Sequence, residues 1–306
     1  MPIKIPRSLP AFDALRRERV FVMTEDRAKH QDIRPLKVGI VNLMPTTVDT
    51  EMQLLRLLGN SPLQVDITFL HMGSHESKNA PLGHLEKFYI SSKEIVSMGI
   101  RFDGLIITGA PVETMSFEEV DYWDELAEVI DYSEKNVYST LHICWGAQAG
   151  LYRRYKIQKK TLSKKLFGVF PHSINEQYHA LFRGFDDVFL APQSRYTTVD
   201  AQAIAAEKRL CILSETAESG VFFVTARDGR EIYITGHLEY DPYTLDREYR
   251  RDLEKGVSIE IPKNYYQDDN PEKAPVVRWR AHANLFFDNW LNYVYQETPY
   301  DLSKLA

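Results

Sequence analysis

Ser139-Thr140-Leu141-His142-Ile143-Cys144-Trp145-Gly146-Ala147-Gln148-Ala149-Gly150 carries a change of periodicity that orders everything around it. Val137–Ile143 is apolar enough to be a strand buried on both faces, and Trp145–Tyr155 reads as the helix behind it. A reactive side chain between strand and helix, with small residues directly after it, is the pattern of a nucleophile elbow. The turn leaves no room for bulky neighbours, hence Gly146 and Ala147. It also sets the Cys144 sulfur at a helix N-terminus, where the dipole and free N–H groups favour thiolate over thiol. The same N–H groups, that of Trp145 first, can hold the oxyanion of a tetrahedral intermediate. A buried cysteine closing a core strand is the plainer alternative, and the Gly-Ala-x-Ala-Gly run weighs against it.

Towards the N-terminus the same alternation recurs. Leu36–Met44 reads as a buried strand ended by Pro45, Thr50–Leu58 as a helix with Met52, Leu55 and Leu58 on one face, and Leu63–Leu70 as a strand. Phe102–Thr108 is a short strand entering Gly109-Ala110-Pro111, and Phe117–Glu134 is helical through Val120, Trp123, Leu126, Ala127 and Ile130. Strands alternating with helices predict a three-layer α/β/α fold with a mostly parallel sheet covered on both faces. Beyond Tyr155 the character changes: Leu166–Phe170, Val188–Leu190, Leu210–Leu213, Gly220–Thr225 and Glu231–Thr235 read as short strands with little helix between them. Arg227-Asp228-Gly229-Arg230 is a hairpin turn. This run predicts antiparallel strands added to one edge of the parallel sheet. Tyr243–Glu254 reads as a helix capped by Gly256, 261–275 as a loop, and Trp279–Tyr295 as a closing amphipathic helix. Residues 1–35, with Pro2, Pro6, Pro10 and Pro35, read as an extended arm, leaving 36–306 as one α/β domain.

Forty-four per cent of the 306 residues are apolar, enough for a sizeable core, and the net charge of −6 offers no electrostatic footprint for nucleic acid. The two cysteines, Cys144 and Cys211, form neither a disulfide framework nor a zinc cluster, and read as free thiols of a reducing cytosol. Cys211 reads as core filler. No stretch approaches the ~20 apolar residues of a membrane span, and the N-terminus lacks the apolar run of a signal peptide. The expectation is a soluble cytoplasmic protein.

A thiol nucleophile needs a base to take and return its proton, and the base needs an orienting group. Of nine histidines, His237 follows the Glu231–Thr235 strand across Gly236, and Glu239 stands two residues on, where an extended segment brings both side chains to one side. An exposed loop histidine beside an unrelated glutamate is the alternative on this segment alone. His142, two residues before Cys144, reads as a packing or gating residue. His71 and His75 have i, i+4 spacing, but Gly73-Ser74 between them argues for a loop, and no metal is expected.

A cysteine elbow followed by a late Gly-His-x-Glu resembles the class I glutamine amidotransferases, a flavodoxin-like fold. More closely, the chain is similar end to end to the homoserine O-acyltransferases that begin methionine biosynthesis: MPIKIP at 1–6, FVMTEDRAKHQDIRPLKV at 21–38, QLLRLLGNSPLQVDI at 53–67, SHESKNAP at 74–81, DGLIITGAPVE at 103–113, TGHLEYD at 235–241 and NWLNYVYQETPYDL at 289–302. The resemblance implies a ping-pong transfer in which Cys144 takes the acyl group from acyl-CoA, with His237 as proton shuttle and Glu239 behind it. It implies L-homoserine as acceptor, no resident cofactor and a homodimer. It also assigns homoserine binding to Lys165, Ser194 and Arg251.

For the acyl group the resemblance sets acetyl users, with glutamate, against succinyl users, with glycine, at the position of Glu113; Ser194 shares this specificity role. A carboxylate there fills space and repels the distal succinyl carboxylate while a methyl is indifferent. Acetyl-CoA is therefore the expected co-substrate, with succinyl-CoA the alternative. Many members carry two lysines where this chain has Thr46-Thr47, which removes side-chain charge from that loop. A glutaminase or hydrolase on the same fold is the more distant alternative.

Overall fold

Runs of Val, Ile and Leu without a polar face are costly at a surface, and the structure buries them as parallel strands. The computed structural model describes Ile3–Lys4, Val22–Met23, 34–74 and 83–305. β1 (Ile3–Lys4) and β2 (Val22–Met23) pair in parallel, apart from the main sheet; of the expected 1–35 arm, the other residues up to 33, like His75, lie outside the described residues. The main sheet has ten strands: β3 (Leu36–Val41), β4 (Val65–His71), β5 (Tyr89–Ser91), β6 (Phe102–Ile107), β7 (Val137–Ile143), β8 (Lys159–Ile174), β9 (Val188–Val199), β10 (Leu210–Thr216), β11 (Gly220–Ala226) and β12 (Glu231–Ile234). Their spatial order is β5-β4-β3-β6-β7-β12-β11-β10-β8-β9. The six strands from β5 to β12 run parallel, and β11, β10, β8 and β9 continue the sheet antiparallel.

Alternation along each strand divides the core. Leu36, Val38 and Ile40 point to one face, covered by α1 (Thr47–Leu58) and α8 (Arg280–Glu297) through Leu54, Leu57, Leu58, Phe286 and Trp290. Val41, Leu105 and Ile107 point to the other, covered, after the short α2 (His84–Phe88), by α3 (Ser92–Met98), α4 (Trp123–Asn136) and α5 (Trp145–Tyr155). Each fully buried Leu, Ile or Phe contributes ~1.5–3 kcal/mol. Trp290 reaches the middle of the sheet, where its Nε1 donates to Ser139 Oγ on β7 at 3.0 Å. The fully buried carboxylate of Asp103 on β6 is satisfied by a bidentate fork from Arg34, at 2.7 and 2.8 Å, and by Lys37 N at 2.7 Å. Arg34 also donates to the carbonyls of Pro299 and Tyr300, so one guanidinium joins β6 to the segment after α8.

The structure revises several expected elements. The single helix expected over Phe117–Glu134 is two: a 3₁₀ turn, Phe117–Glu119, opened by a Ser116/Glu119 capping box, then extended Val120, then α4 from Trp123. The expected Leu166–Phe170 and Val188–Leu190 are the middle and start of strands of 16 and 12 residues, which pair as a long antiparallel ladder. The first strand ends at Val41 because Asn42 turns the chain with its own side chain, accepting from Met44 N and donating to Thr47 O. α2, β5, α3 and α6 (Ala201–Ala206) were not anticipated. Cys211 fills the core only in part: it is half-buried on β10, packs against the margin of the core and donates to Glu176 Oε1.

His172 on β8 is buried between the rings of Phe189 and Phe222, with neither ring nitrogen hydrogen-bonded among the described residues. Burial, reinforced by the positive charge of Arg195, pushes its pKa down to about 3. Between pH 3 and 6.5 the unfolded chain therefore binds the extra proton, so this contribution to stability is present above pH 6.5 and is lost as pH falls through that window, at up to ~1.4 kcal/mol per pH unit. Denaturation midpoints of wild type and His172→Phe from pH 7 to pH 4.5 should show a shallower acid loss in the variant. Equal slopes would refute this account.

Candidate active site

Cys144 sits at the carboxyl end of β7 with φ 52° and ψ −113°, a conformation L-residues rarely adopt, and α5 starts at the next residue. The turn is held from three directions. Cys144 N donates to Ile234 O of β12 at 2.7 Å, Ala147 N and Gln148 N donate to Cys144 O, and Gly146 lies against the end of β6. A methyl at Gly146 would come within 2.6 Å of Thr108 O and 2.7 Å of Ile107 O, so only glycine lets the elbow approach that strand. The indole of Trp145 is buried against Phe117 and Tyr122, and its backbone N–H opens the helix beside the sulfur.

His237 comes from the neighbouring strand. β12 pairs in parallel with β7, Ile234 opposite Ile143, and the chain then bends through Thr235-Gly236. Thr235 N is bonded to Phe222 O and His237 N to Pro192 O at 3.0 Å, which fixes the imidazole from β11 and β9. His237 Nδ1 meets Glu239 Oε1 at 2.6 Å, leaving Nε2 for the sulfur, and the ring stacks on Tyr240 with centroids 4.0 Å apart. Cys144 and His237 flank Gly109: a methyl there would lie 3.3 Å from Cys144 Cβ and 3.6 Å from His237 Cε1. Burial pushes the His237 pKa down, but the charges of Cys144 and Glu239 and hydrogen bonds to both raise it well above the ordinary imidazole value. The arrangement can hold a proton on His237 beside a thiolate and return it to a leaving group.

Lys165, Ser194 and Arg251, far apart in sequence, meet on one carboxylate that sequence reasoning missed. Glu248 on α7 (Thr244–Glu254) accepts from Lys165 Nζ at 2.6 Å and Ser194 Oγ at 2.8 Å, with Arg251 Nη2 at 3.7 Å. Asp252 takes Lys165 and Arg251 as further partners; burial raises its pKa, and the Arg251 hydrogen bond with the Lys165 charge brings it below the ordinary carboxylate range. Glu113 does not point to solvent: its Oε2 is bonded to Tyr196 N and to the N and Oγ1 of Thr197. Burial holds the phenol of Tyr240 neutral, helped by the charges of Glu248, Glu239, Cys144 and Glu113.

Arg195 was also missed. It is wholly buried and donates to Gln193 Oε1, Thr197 O and Ser219 O. Burial lowers its pKa to about 10 against the opposing charges of Cys144 and Glu113. A signal existed: Phe189, Ala191, Gln193, Arg195, Thr197 and Val199 alternate along β9, and all are buried. His142 is buried, stacks on Tyr233, and is pushed by burial to a pKa of about 3, a packing residue as expected. Thr46 and Thr47 close the first turn of α1, with Thr46 O accepting from Thr50. Among the described residues no group of three or more His, Cys, Asp or Glu is placed to hold a metal ion, and no helix is long and apolar enough to cross a membrane.

A family model described as homoserine O-succinyltransferase matches residues 2–300. Proteins named homoserine O-acetyltransferase from Petrotoga mobilis and Acetivibrio thermocellus are each 58% identical over 306 residues, covering 100% of this chain and 98% and 100% of theirs. One from Bacteroides thetaiotaomicron is 54% identical over the full length of both chains. Among solved structures, a glutamine amidotransferase from Thermotoga maritima superposes with a TM-score of 0.57 at 13% identity, over 86% of this chain and 100% of that one. A glutamine amido transferase from Methylobacillus flagellatus gives 0.51 at 12% identity, over 85% and 95%. These structures share the fold.

The contact of Gly146 with two backbone carbonyls makes a sharp prediction. Gly146→Ala cannot be relieved by a side-chain shift, so it should destabilise by about 1–3 kcal/mol, the usual cost of overpacking. Equilibrium denaturation with an unchanged midpoint would contradict the wedge.

Proposed function

The chain belongs to the homoserine O-succinyltransferase family, and we propose that within it this enzyme is a homoserine O-acetyltransferase working through an acetyl thioester on Cys144. The observation that carries the donor choice is Glu113. Its carboxylate is tied to β9 two to three residues from Ser194, which supports reading it as facing the distal end of the acyl group: a succinyl donor would bring a second carboxylate towards it, whereas an acetyl methyl meets no such opposition. The names borne by the relatives at 54–58% identity agree with it.

In the first half-reaction the Cys144 thiolate attacks the thioester carbonyl of acetyl-CoA, and the oxyanion is met by backbone donors, Trp145 N–H first. Collapse breaks the carbon–sulfur bond to CoA, and His237 gives its proton to the departing thiolate. In the second half the neutral His237 takes the proton of the homoserine hydroxyl as its oxygen attacks the acetyl-enzyme. Cys144 leaves as thiolate beside the protonated imidazole, which restores the starting state. Glu239 keeps Nδ1 occupied throughout, so that Nε2 faces the chemistry.

Homoserine is a zwitterion and needs both signs of charge. Arg251 and Lys165 suit its carboxylate, and Glu248 is the carboxylate suited to its ammonium. These groups satisfy one another, so binding exchanges internal ion pairs for substrate ion pairs. The same reading takes acetyl-CoA and L-homoserine as the only small molecules required and a cytoplasmic homodimer as the working form.

Mixing the protein with acetyl-CoA in the absence of homoserine should add one acetyl mass on Cys144, and the Cys144→Ala protein should gain none; an unmodified wild-type protein would exclude the ping-pong route. Glu113→Gly should admit succinyl-CoA, read as a succinyl adduct and as succinyl transfer to homoserine. No gain of succinyl transfer would remove the basis for the donor assignment.

A further inference from the structure

We infer that Thr197 is a positioning residue for donor selection, its hydroxyl fixing the carboxylate of Glu113 in the acyl site. Glu113 Oε2 takes three donors from β9: Tyr196 N at 2.9 Å, Thr197 N at 3.1 Å and Thr197 Oγ1 at 2.9 Å. Any residue but proline at 196 and 197 supplies the two amides; only the hydroxyl depends on the identity of the side chain. Thr197 is itself 1% exposed, and its carbonyl receives Arg195 Nη1 at 2.7 Å.

The hydroxyl has a further neighbour. Thr197 Oγ1 stands 3.0 Å from Gln148 Oε1, while Gln148 Nε2 is buried without a partner. A hydroxyl carries one proton and cannot donate to two acceptors, and the two ends of a glutamine amide are interchangeable in shape. Turning the Gln148 amide over removes the double demand on that proton: Nε2 donates to Thr197 Oγ1, and Thr197 donates to Glu113. Gln148 lies one helical turn after Cys144 on α5. The chain Gln148–Thr197–Glu113 thus references the selecting carboxylate to the helix that positions the nucleophile, so the distance between them is set by hydrogen bonds and not by loop 109–113 alone.

This inference rests on the proposed acetyl transfer, and its test separates the two. Wild type, Thr197→Val and Thr197→Ser are compared for kcat/KM with acetyl-CoA and with succinyl-CoA, together with KM for homoserine. Thr197→Val, which keeps shape and removes the donor, should lower the acetyl-over-succinyl preference about tenfold, the scale of one hydrogen bond to a charged group. KM for homoserine should hold steady, and Thr197→Ser should restore the preference. A preference unchanged in Thr197→Val, or an equal fall with both donors, overturns the positioning role. If Thr197→Val does not yield folded protein, Thr197→Ala carries the same comparison. Failure of wild type to form an acetyl-enzyme would instead sink the proposed function.

Discussion

The whole site hangs on a backbone that does not want its shape. At φ 52° and ψ −113° Cys144 lies outside the regions that L-residues favour, at a cost of the order of ~1–3 kcal/mol. That conformation persists because its surroundings over-determine it: one hydrogen bond to β12, two from α5, and a glycine pressed on the carbonyls of β6. The parallel sheet supplies the first and last of these anchors at the carboxyl edge of three adjacent strands. The order β6-β7-β12 is therefore a chemical requirement as much as a topological one. It brings Gly109, Cys144 and His237 to the ends of neighbouring strands, where a separation of one strand width suits proton transfer.

β9 is the second organising element, although it sits at the far edge of the sheet in strand order. Pro192 O holds the His237 loop, Ser194 reaches Glu248, Arg195 is a buried cation, and the amides of Tyr196 and Thr197 hold Glu113. The groups proposed for the base, for acceptor binding and for donor selection are thus referenced to six consecutive residues. An unbroken strand suits the task, because successive side chains alternate between the two faces and the backbone between them is rigid.

How much of this could be read from the sequence depended on where the deciding contacts lie. Val137–Ile143 and Trp145–Tyr155 were legible to the residue because a strand buried on both faces is uniformly apolar and the small residues after Cys144 mark the turn. Cys144 and His237 were legible for a related reason, since each lies just past the end of a strand, and Glu239 follows His237 by two residues. β8 was misjudged because Lys159–Lys164 is mostly polar, largely exposed and interrupted by a register shift between Thr161 and Leu166. Glu248 and Asp252 look like the solvated face of a charged helix, and only tertiary packing shows that Lys165 and Ser194 reach Glu248. Arg195 hid behind its residue type. Its neighbours at two-residue spacing pointed inward, but an arginine is so seldom buried whole that the alternation was easy to discount.

The closing helix α8 has a consequence for the history of each molecule. Phe286 and Trp290 cover one face of the central strands, and Trp290 bonds to Ser139 in the middle of β7. A ribosome makes those strands more than a hundred residues before it makes the helix that roofs them. Until residues 280–297 emerge, a nascent chain with its parallel strands already synthesised presents a bare apolar flank. The native sheet is thus sealed late, and the interval before sealing is the period in which a chaperone, or a neighbouring unfinished copy, has something to bind.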